Sequence, residues 1–256
     1  MRGQHKGENG KVLIIGGSED YAGAPALAGL AALRSGCDIV VIAAPEKTAY
    51  AINACSADLI TKKLSGTALA TVHVPMLTKL AEGFDCVLIG NGLGLASGTM
   101  NAVRMLCDAI TVPKVVDADA IKARPQARNC IVTPHAREFE IWTGKKATKA
   151  NAVKASKRDC ITLLKGPVDI ITDGKRVVEN RTGNDSMTKG GTGDTLAGLC
   201  AGLVAQKEGL FDAAVKAAWV NGRAGDLMLK HYGNGYFTSE LLCALAPAMA
   251  DYGKKR

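Results

Sequence analysis

Residues 11–45 read KVLIIGGSEDYAGAPALAGLAALRSGCDIVVIAAP. The stretch opens with the apolar run KVLIIGG (11–17), which ends in glycines. AGAPALAGLAALRSG (22–36) follows, with Pro25 suited to a first helical turn and Gly36 to the stop. CDIVVIAAP (37–45) is a second apolar run. Together they form one βαβ unit. Neither strand alternates apolar and polar residues, which marks strands buried on both faces, as in a parallel sheet.

Working outward, the pattern repeats. Strands are expected at DCVLIGNG (85–92), KVVDADA (114–120), CIVTPH (130–135) and CITLLKG (160–166), with helices at 99–110 and from 136. Alternation of this kind predicts a doubly wound α/β layer structure. VDIITDGKRVVEN (168–180) breaks it: two short runs meet at Asp173-Gly174, a hairpin signal. Helices near 193–206, 212–230 and 238–250 complete the chain, and no repeat or linker divides residues 1–256, so one domain is expected.

The chain is 47% hydrophobic but only 4% aromatic, so small aliphatic residues must build the core and helices must approach the sheet closely. The net charge of +8 favours anionic ligands. The cations are scattered; the densest run, GKKATKANAVKASKR (144–158), reads as a helix with a solvated face, and the arginine–aromatic interleaving of single-strand binders is missing. Nucleic acid is therefore not an expected partner. The eight cysteines lie at least 18 residues apart, which rules out CxxC and zinc spacings; they read as small buried hydrophobes of a reducing cytoplasm. The N-terminal MRGQHKGENGK lacks a signal-peptide apolar region, and no apolar run reaches membrane-spanning length.

Three glycine-rich turns are expected at strand C-termini: GGSEDYAGAP (16–25), GNGLGLASG (90–98) and KGGTGD (189–194). Ligands of open α/β sheets bind at that edge, and helix N-termini there offer N–H groups to anions. None of the turns has the GxGxxG spacing of dinucleotide folds, and KGGTGD lacks the Lys-Ser/Thr end of a P-loop. In its place stands a carboxylate, Asp194. That acid is open to two readings, a helix cap or a base held beside phosphate. Phosphoryl transfer needs positioning, charge stabilisation and a group that accepts a hydroxyl proton, and an anion hole with an adjacent acid supplies two of these. Lys165 ends a strand and could meet phosphate. Thr133 and Pro134 are expected as N-cap and first turn of a helix, with His135 near the ligand edge. Asp117 and Asp119 either form a turn or hold a metal through water.

NRTGNDSMTKGGTGDTLAG (180–198), VTPHAREFE (132–140), HKGENGKVLIIGGSEDYAGAP (5–25) and LLKGPVD (163–169) together resemble the NAD(P)H-hydrate dehydratases, a carbohydrate-kinase-like group of the ribokinase-like superfamily. The resemblance covers the chain in order, and the block N-x-T-G-N-x-x-M-x-x-G-G-T-G-D is its specific part. It implies a ribokinase-like three-layer α/β/α fold with a mostly parallel central sheet and a late β-hairpin. It also implies a repair activity. The ring hydroxyl of the S epimer of hydrated NADH or NADPH is phosphorylated, and phosphate is then eliminated to restore the double bond. With ADP as co-substrate the by-products are AMP and phosphate. Prokaryotic members use ADP and eukaryotic members ATP; the compact form resembles the prokaryotic type, so ADP with Mg2+ is expected.

By resemblance, Asp194 is the general base on the substrate hydroxyl. Gly191, Thr192 and Gly193 line the anion hole, and Lys165, Gly166, Pro167, Val168 and Asp169 contact the nucleotide. Ala24, Gly92 and His135 contact the hydrated dinucleotide, and no direct metal ligand is assigned. The chain departs from the family where Gly90-Asn91-Gly92 replaces the usual G-P-G. An NAD(P)H-hydrate epimerase, often fused N-terminally, is the expected functional partner, and this chain begins where such a fusion would end. A homo-oligomer, with a tetramer as one form, is also expected. The alternative is a thiamin-precursor kinase of the same superfamily, acting on a hydroxymethylpyrimidine or hydroxyethylthiazole.

Overall fold

The computed structural model describes residue 5 and residues 7–157 and 159–254. Residues 1–4, Lys6, Arg158 and residues 255–256 lie outside them, and with them part of the polar N-terminal stretch and the last residue of the basic run. A nine-stranded sheet has the order β3-β2-β1-β4-β5-β6-β7-β8-β9. Its strands are β1 (Lys11–Ile15), β2 (Ile39–Pro45), β3 (Ile60–Leu64), β4 (Cys86–Ile89), β5 (Lys114–Val116), β6 (Cys130–Val132), β7 (Cys160–Leu164), β8 (Asp169–Thr172) and β9 (Val177–Asn180). Seven pair in parallel, and β8 and β9 add an antiparallel hairpin turning at Asp173-Gly174. The expected strands 85–92, 114–120 and 130–135 are shorter than their apolar runs suggested. Each gives way at its C-terminal end to the turn that carries polar residues.

Strand β1 shows why the runs do not alternate. Val12 and Ile14 face one core together with Ile42 and Leu88. Leu13 and Ile15 face a second core together with Val87 and Ile89. The first core is closed by α1 (Gly23–Arg34), α2 (Glu46–Cys55), α8 (Thr192–Ala205), α9 (Leu210–Tyr232) and α10 (Thr238–Gly253). The second is closed by α3 (Val74–Ala81), α4 (Ser97–Ala109) and the short α5 (Asp119–Lys122). Three layers result. The basic run yields only α7 (Lys149–Ala155), which packs through Ala152 against Phe139 of α6 (Ala136–Thr143).

Small residues bring α1 and α8 together. A Cβ at Gly198 would collide with the Ala28 backbone, and one at Gly202 with Ser35 and Ala32. Only glycine admits this approach, so α8 lies directly on α1 and its first turn is held at a fixed height above the sheet.

No strand was expected between β2 and β4. The edge strand β3 reads ITKKL, with Ile60, Lys62 and Lys63 exposed. The Lys63 ammonium donates to Thr61 Oγ1 at 2.9 Å and to Asn53 Oδ1 at 3.3 Å. The cysteines at 37, 86, 107, 130, 160 and 200 are buried, and burial pushes the thiols of Cys37 and Cys107 up to about 12.

Candidate active site

Chain progression through the sheet reverses between β1 and β4, the position where open α/β sheets form a crevice at their carboxyl edge. Two of the glycine turns meet there. The Gly17 N–H donates to the Asn91 carbonyl at 2.8 Å. Gly92 has a φ of 71°, and a Cβ on it would press on Tyr21 and lie 3.5 Å from that of Ala24. The structure thus brings together Ala24 and Gly92.

The third turn arrives from above. Gly191 is the N-cap of α8, with a φ of 96° that other residues rarely adopt, and no side chain caps the helix start. The first N–H groups of a helix have no partner within it, so an uncapped start attracts anions. Asp194 sits in this first turn but does not cap it. Its Oδ1 accepts from Asn91 Nδ2 at 2.6 Å, and the same nitrogen donates to Asp117 Oδ2 at 3.1 Å. Asp117, which is 1% exposed, also accepts from Thr133 Oγ1 at 2.7 Å and from Lys165 Nζ at 3.0 Å. Glu138 Oε2 lies 3.9 Å from Lys165 Nζ. A Cβ on Gly193 would lie 3.3 Å from the same ammonium, so Lys165 sits beside the open helix start.

The charges set each other's ionisation. Burial, and then the neighbouring Asp117, push the Asp194 carboxyl up to about 7; Asn91 and Lys165 oppose the rise, and Asp119 adds to it. Burial alone would lower the Lys165 ammonium, but the carboxylates of Asp117, Glu138 and Asp194 hold it above its ordinary value. Burial also raises Asp169, whose oxygens accept from Gly166 N–H at 3.1 Å and Asn180 Nδ2 at 3.0 Å. An acid titrating near neutrality is poised to exchange a proton with a hydroxyl.

The expected N-cap at Thr133 is displaced to His135. The Thr133 hydroxyl is spent on Asp117, and His135 closes a capping box: its Nδ1 accepts from Glu138 N–H at 3.3 Å, and its own N–H donates to Glu138 Oε2 at 3.0 Å. Of the two readings of Asp117 and Asp119, the turn is present: the Asp117 carbonyl accepts from Ala120 N–H at 3.1 Å. Asp119 opens α5, where its Oδ2 accepts from Gly94 N–H at 2.9 Å and its Oδ1 from Lys122 at 2.8 Å. Among the described residues no group of three or more His, Cys, Asp or Glu side chains is placed to hold a metal.

A cavity of about 550 Å³ opens beside the α8 start. His135, Lys165, Gly166, Pro167, Asp169, Thr192 and Gly193 line it; Val168, Gly191 and Asp194 are not among its walls, and Ala24 and Gly92 lie in the crevice between the other two turns. Several lining residues had no role expected from sequence, among them Asn184, Met187, Lys189 and Asn221. Two of these belong to the N-x-T-G-N-x-x-M block, whose polar residues pin the loop to α9. Asn184 Nδ2 donates to Asp226 at 2.9 Å and Thr182 Oγ1 to the Trp219 carbonyl at 3.0 Å. Asn221 is fixed in turn by Thr195 Oγ1, which donates to it at 2.8 Å.

Comparison with known proteins gives consistent matches. A family model described as NAD(P)H-hydrate dehydratase covers residues 12–247. The chain is 42% identical to the bifunctional NAD(P)H-hydrate repair enzyme Nnr of Methanothermobacter thermautotrophicus, over 98% of this chain and 51% of the relative. It thus spans about half the length of the bifunctional relatives that it matches. It is 38% identical to the ADP-dependent (S)-NAD(P)H-hydrate dehydratase of Cenarchaeum symbiosum, over 97% of this chain and 91% of that one. Among solved structures, the ADP/ATP-dependent NAD(P)H-hydrate dehydratase of Bacillus subtilis, co-crystallised with ATP/Mg2+, superposes with a TM-score of 0.82 at 26% identity, covering 98% of this chain and 94% of that one.

Proposed function

The chain belongs to the NAD(P)H-hydrate dehydratase family, and on that premise we propose that it uses ADP to dehydrate the S epimer of hydrated NADH or NADPH, releasing AMP and phosphate. One observation carries the reading. A carboxylate that burial pushes up to about 7 stands in the first turn of an uncapped helix, beside a half-buried lysine and a nucleotide-sized cavity.

In the proposed mechanism the cavity takes the nucleotide along Lys165 to Asp169. Its terminal phosphate meets the α8 N–H groups at Gly191, Thr192 and Gly193 and the Lys165 ammonium. The hydrated ring lies in the crevice near Ala24, Gly92 and His135. Asp194 removes the proton from the ring hydroxyl, whose oxygen attacks the β-phosphorus of ADP. The bond to AMP breaks, and AMP leaves with the electron pair. The phosphorylated ring then loses phosphate with the C–O electrons and a proton from the adjacent carbon, and the double bond returns.

No residue of this chain is assigned as a direct metal ligand; the carboxylates of Asp117 and Asp119 are hydrogen-bonded within the protein. Mg2+ fits this site as an ion carried in on the nucleotide phosphates, a common mode for that cation. The reading extends to one ribokinase-like domain working in the cytoplasm as a homo-oligomer, alongside an NAD(P)H-hydrate epimerase that supplies the S epimer. The buried, unpaired cysteines support a reducing compartment. Among the described residues no helix is long and apolar enough to cross a membrane. No observation favours the thiamin-precursor kinase over this reading.

The test is recovery of the reduced-nicotinamide absorbance when ADP is added to hydrated NADH. Recovery should require the nucleotide and release AMP and phosphate in equal amounts. Recovery without nucleotide, or phosphorylation of a thiamin precursor with no recovery, would reject the proposal.

A further inference from the structure

Asn91 is fully buried at the crevice, and its side chain is used in an unusual way. Both carboxamide hydrogens go to carboxylates, one to Asp194 at 2.6 Å and one to Asp117 at 3.1 Å. The carboxamide oxygen, also buried, has no hydrogen-bond partner among the described residues. The reverse orientation would aim that oxygen at two carboxylates, so the acids dictate which way the amide points. A buried acceptor without a donor costs stability, and a residue that only filled this space would be apolar. The backbone adds to the constraint. The Asn91 carbonyl accepts from Gly17 N–H, and the Gly90 N–H donates to the Ile15 carbonyl at 3.2 Å, which ties the turn to the end of β1.

We propose that Asn91 is a positioning residue for the reaction: its amide nitrogen bridges Asp194 and Asp117, fixes the orientation of the Asp194 carboxylate and holds it ionised. The proposal rests on the reading of Asp194 as base. With Oδ1 occupied by Asn91, proton acceptance falls to Oδ2. The charged groups that act on Asp194 are Asp117 and Asp119 beyond β5, which disfavour its ionised form, and Lys165 beyond β7, which favours it. Asn91, beyond β4, contributes no charge but two donors. It therefore favours the ionised form while relieving the repulsion between two acids.

The experiment compares Asn91→Leu, Asn91→Asp and Asn91→Ser with the unsubstituted protein. Two quantities are followed: the pH dependence of kcat/KM, and the titration of the Asp194 carboxyl carbon by NMR in the free protein. Loss of both donors in Asn91→Leu should move the Asp194 titration and the acid limb up together, by about one pH unit, equivalent to about a tenfold drop in ionised base below the limb. Asn91→Asp adds a third carboxylate and should move both further. Asn91→Ser retains a hydroxyl donor and should fall between Leu and the parent; it also serves if Asn91→Leu fails to fold. The KM for ADP should change little throughout. If kcat falls while the titration and the limb stay in place, Asn91 only fills space and the proposal is overturned. If the titration moves but hydrated NADH is never turned over, the bridge stands and the reading of the reaction fails.

Discussion

Two helix starts face the cavity, at α6 and at α8, and they are built in opposite ways. The α6 start is closed by its own side chains, His135 and Glu138, in a reciprocal capping box. The α8 start has a glycine at its cap, no side-chain acceptor, and an acid in its first turn whose Oδ1 is drawn to Asn91 instead. A closed start has met its own needs and stabilises the fold. An open one leaves N–H groups to a ligand at some cost in stability. Composition alone would have ranked the two starts alike, since each carries one acid in its first turn.

The most damaging way to probe the contrast is Asp194→Asn. Asn caps helices about as well as Asp, so a capping role predicts little change. A base role predicts a kcat lower by about 10²–10⁴-fold, with ADP affinity kept or improved, measured by turnover and calorimetry on one preparation. The same variant has a pH signature. The folded-state value of about 7 lies above the ordinary aspartate value, so the native protein binds more protons than the unfolded chain between those limits. Stability from this group is fully present at low pH and is lost as pH rises towards about 7. Tm recorded across that window should decline less in Asp194→Asn, while the activity of the parent rises over the same window as the base ionises.

Lys165→Met is expected to come next. A charge-assisted contact to phosphate contributes about 1.5–3 kcal/mol, so ADP should bind about tenfold or more weakly. The acid limb should also move up, because Lys165 favours ionised Asp194. Unchanged calorimetric affinity would remove the ammonium from the nucleotide site. His135→Ala should have the smallest effect on chemistry. Opening α6 costs about 0.5–2 kcal/mol of stability, and the KM of the hydrate should rise more than that of ADP. A tighter grip on ADP in this variant would erase the distinction between the two starts.

The contrast also shows what could be read in advance. Local signals carried far: the βαβ unit from 11 to 45, the Asp173-Gly174 hairpin and the start of α8 all follow from neighbours in the chain. Two features did not. The N-cap moved from Thr133 to His135 because the Thr133 hydroxyl is claimed by Asp117, in the turn beyond another strand. Asn91 appeared only as a departure in a glycine turn, because its partners lie 26 and 103 residues away. β3 was missed for a different reason: lysines at an edge interrupt the apolar run by which buried strands announce themselves.

Those lysines have a further consequence. An edge strand offers unpaired backbone groups to any other extended chain, and charge on that edge is a common defence. Here Lys62 and Lys63 are exposed on β3, so a second copy docking strand to strand would bring ammonium against ammonium. Extension of the sheet from one molecule to the next is disfavoured at this edge. The charge on β3 thus guards this edge against fibrous aggregation.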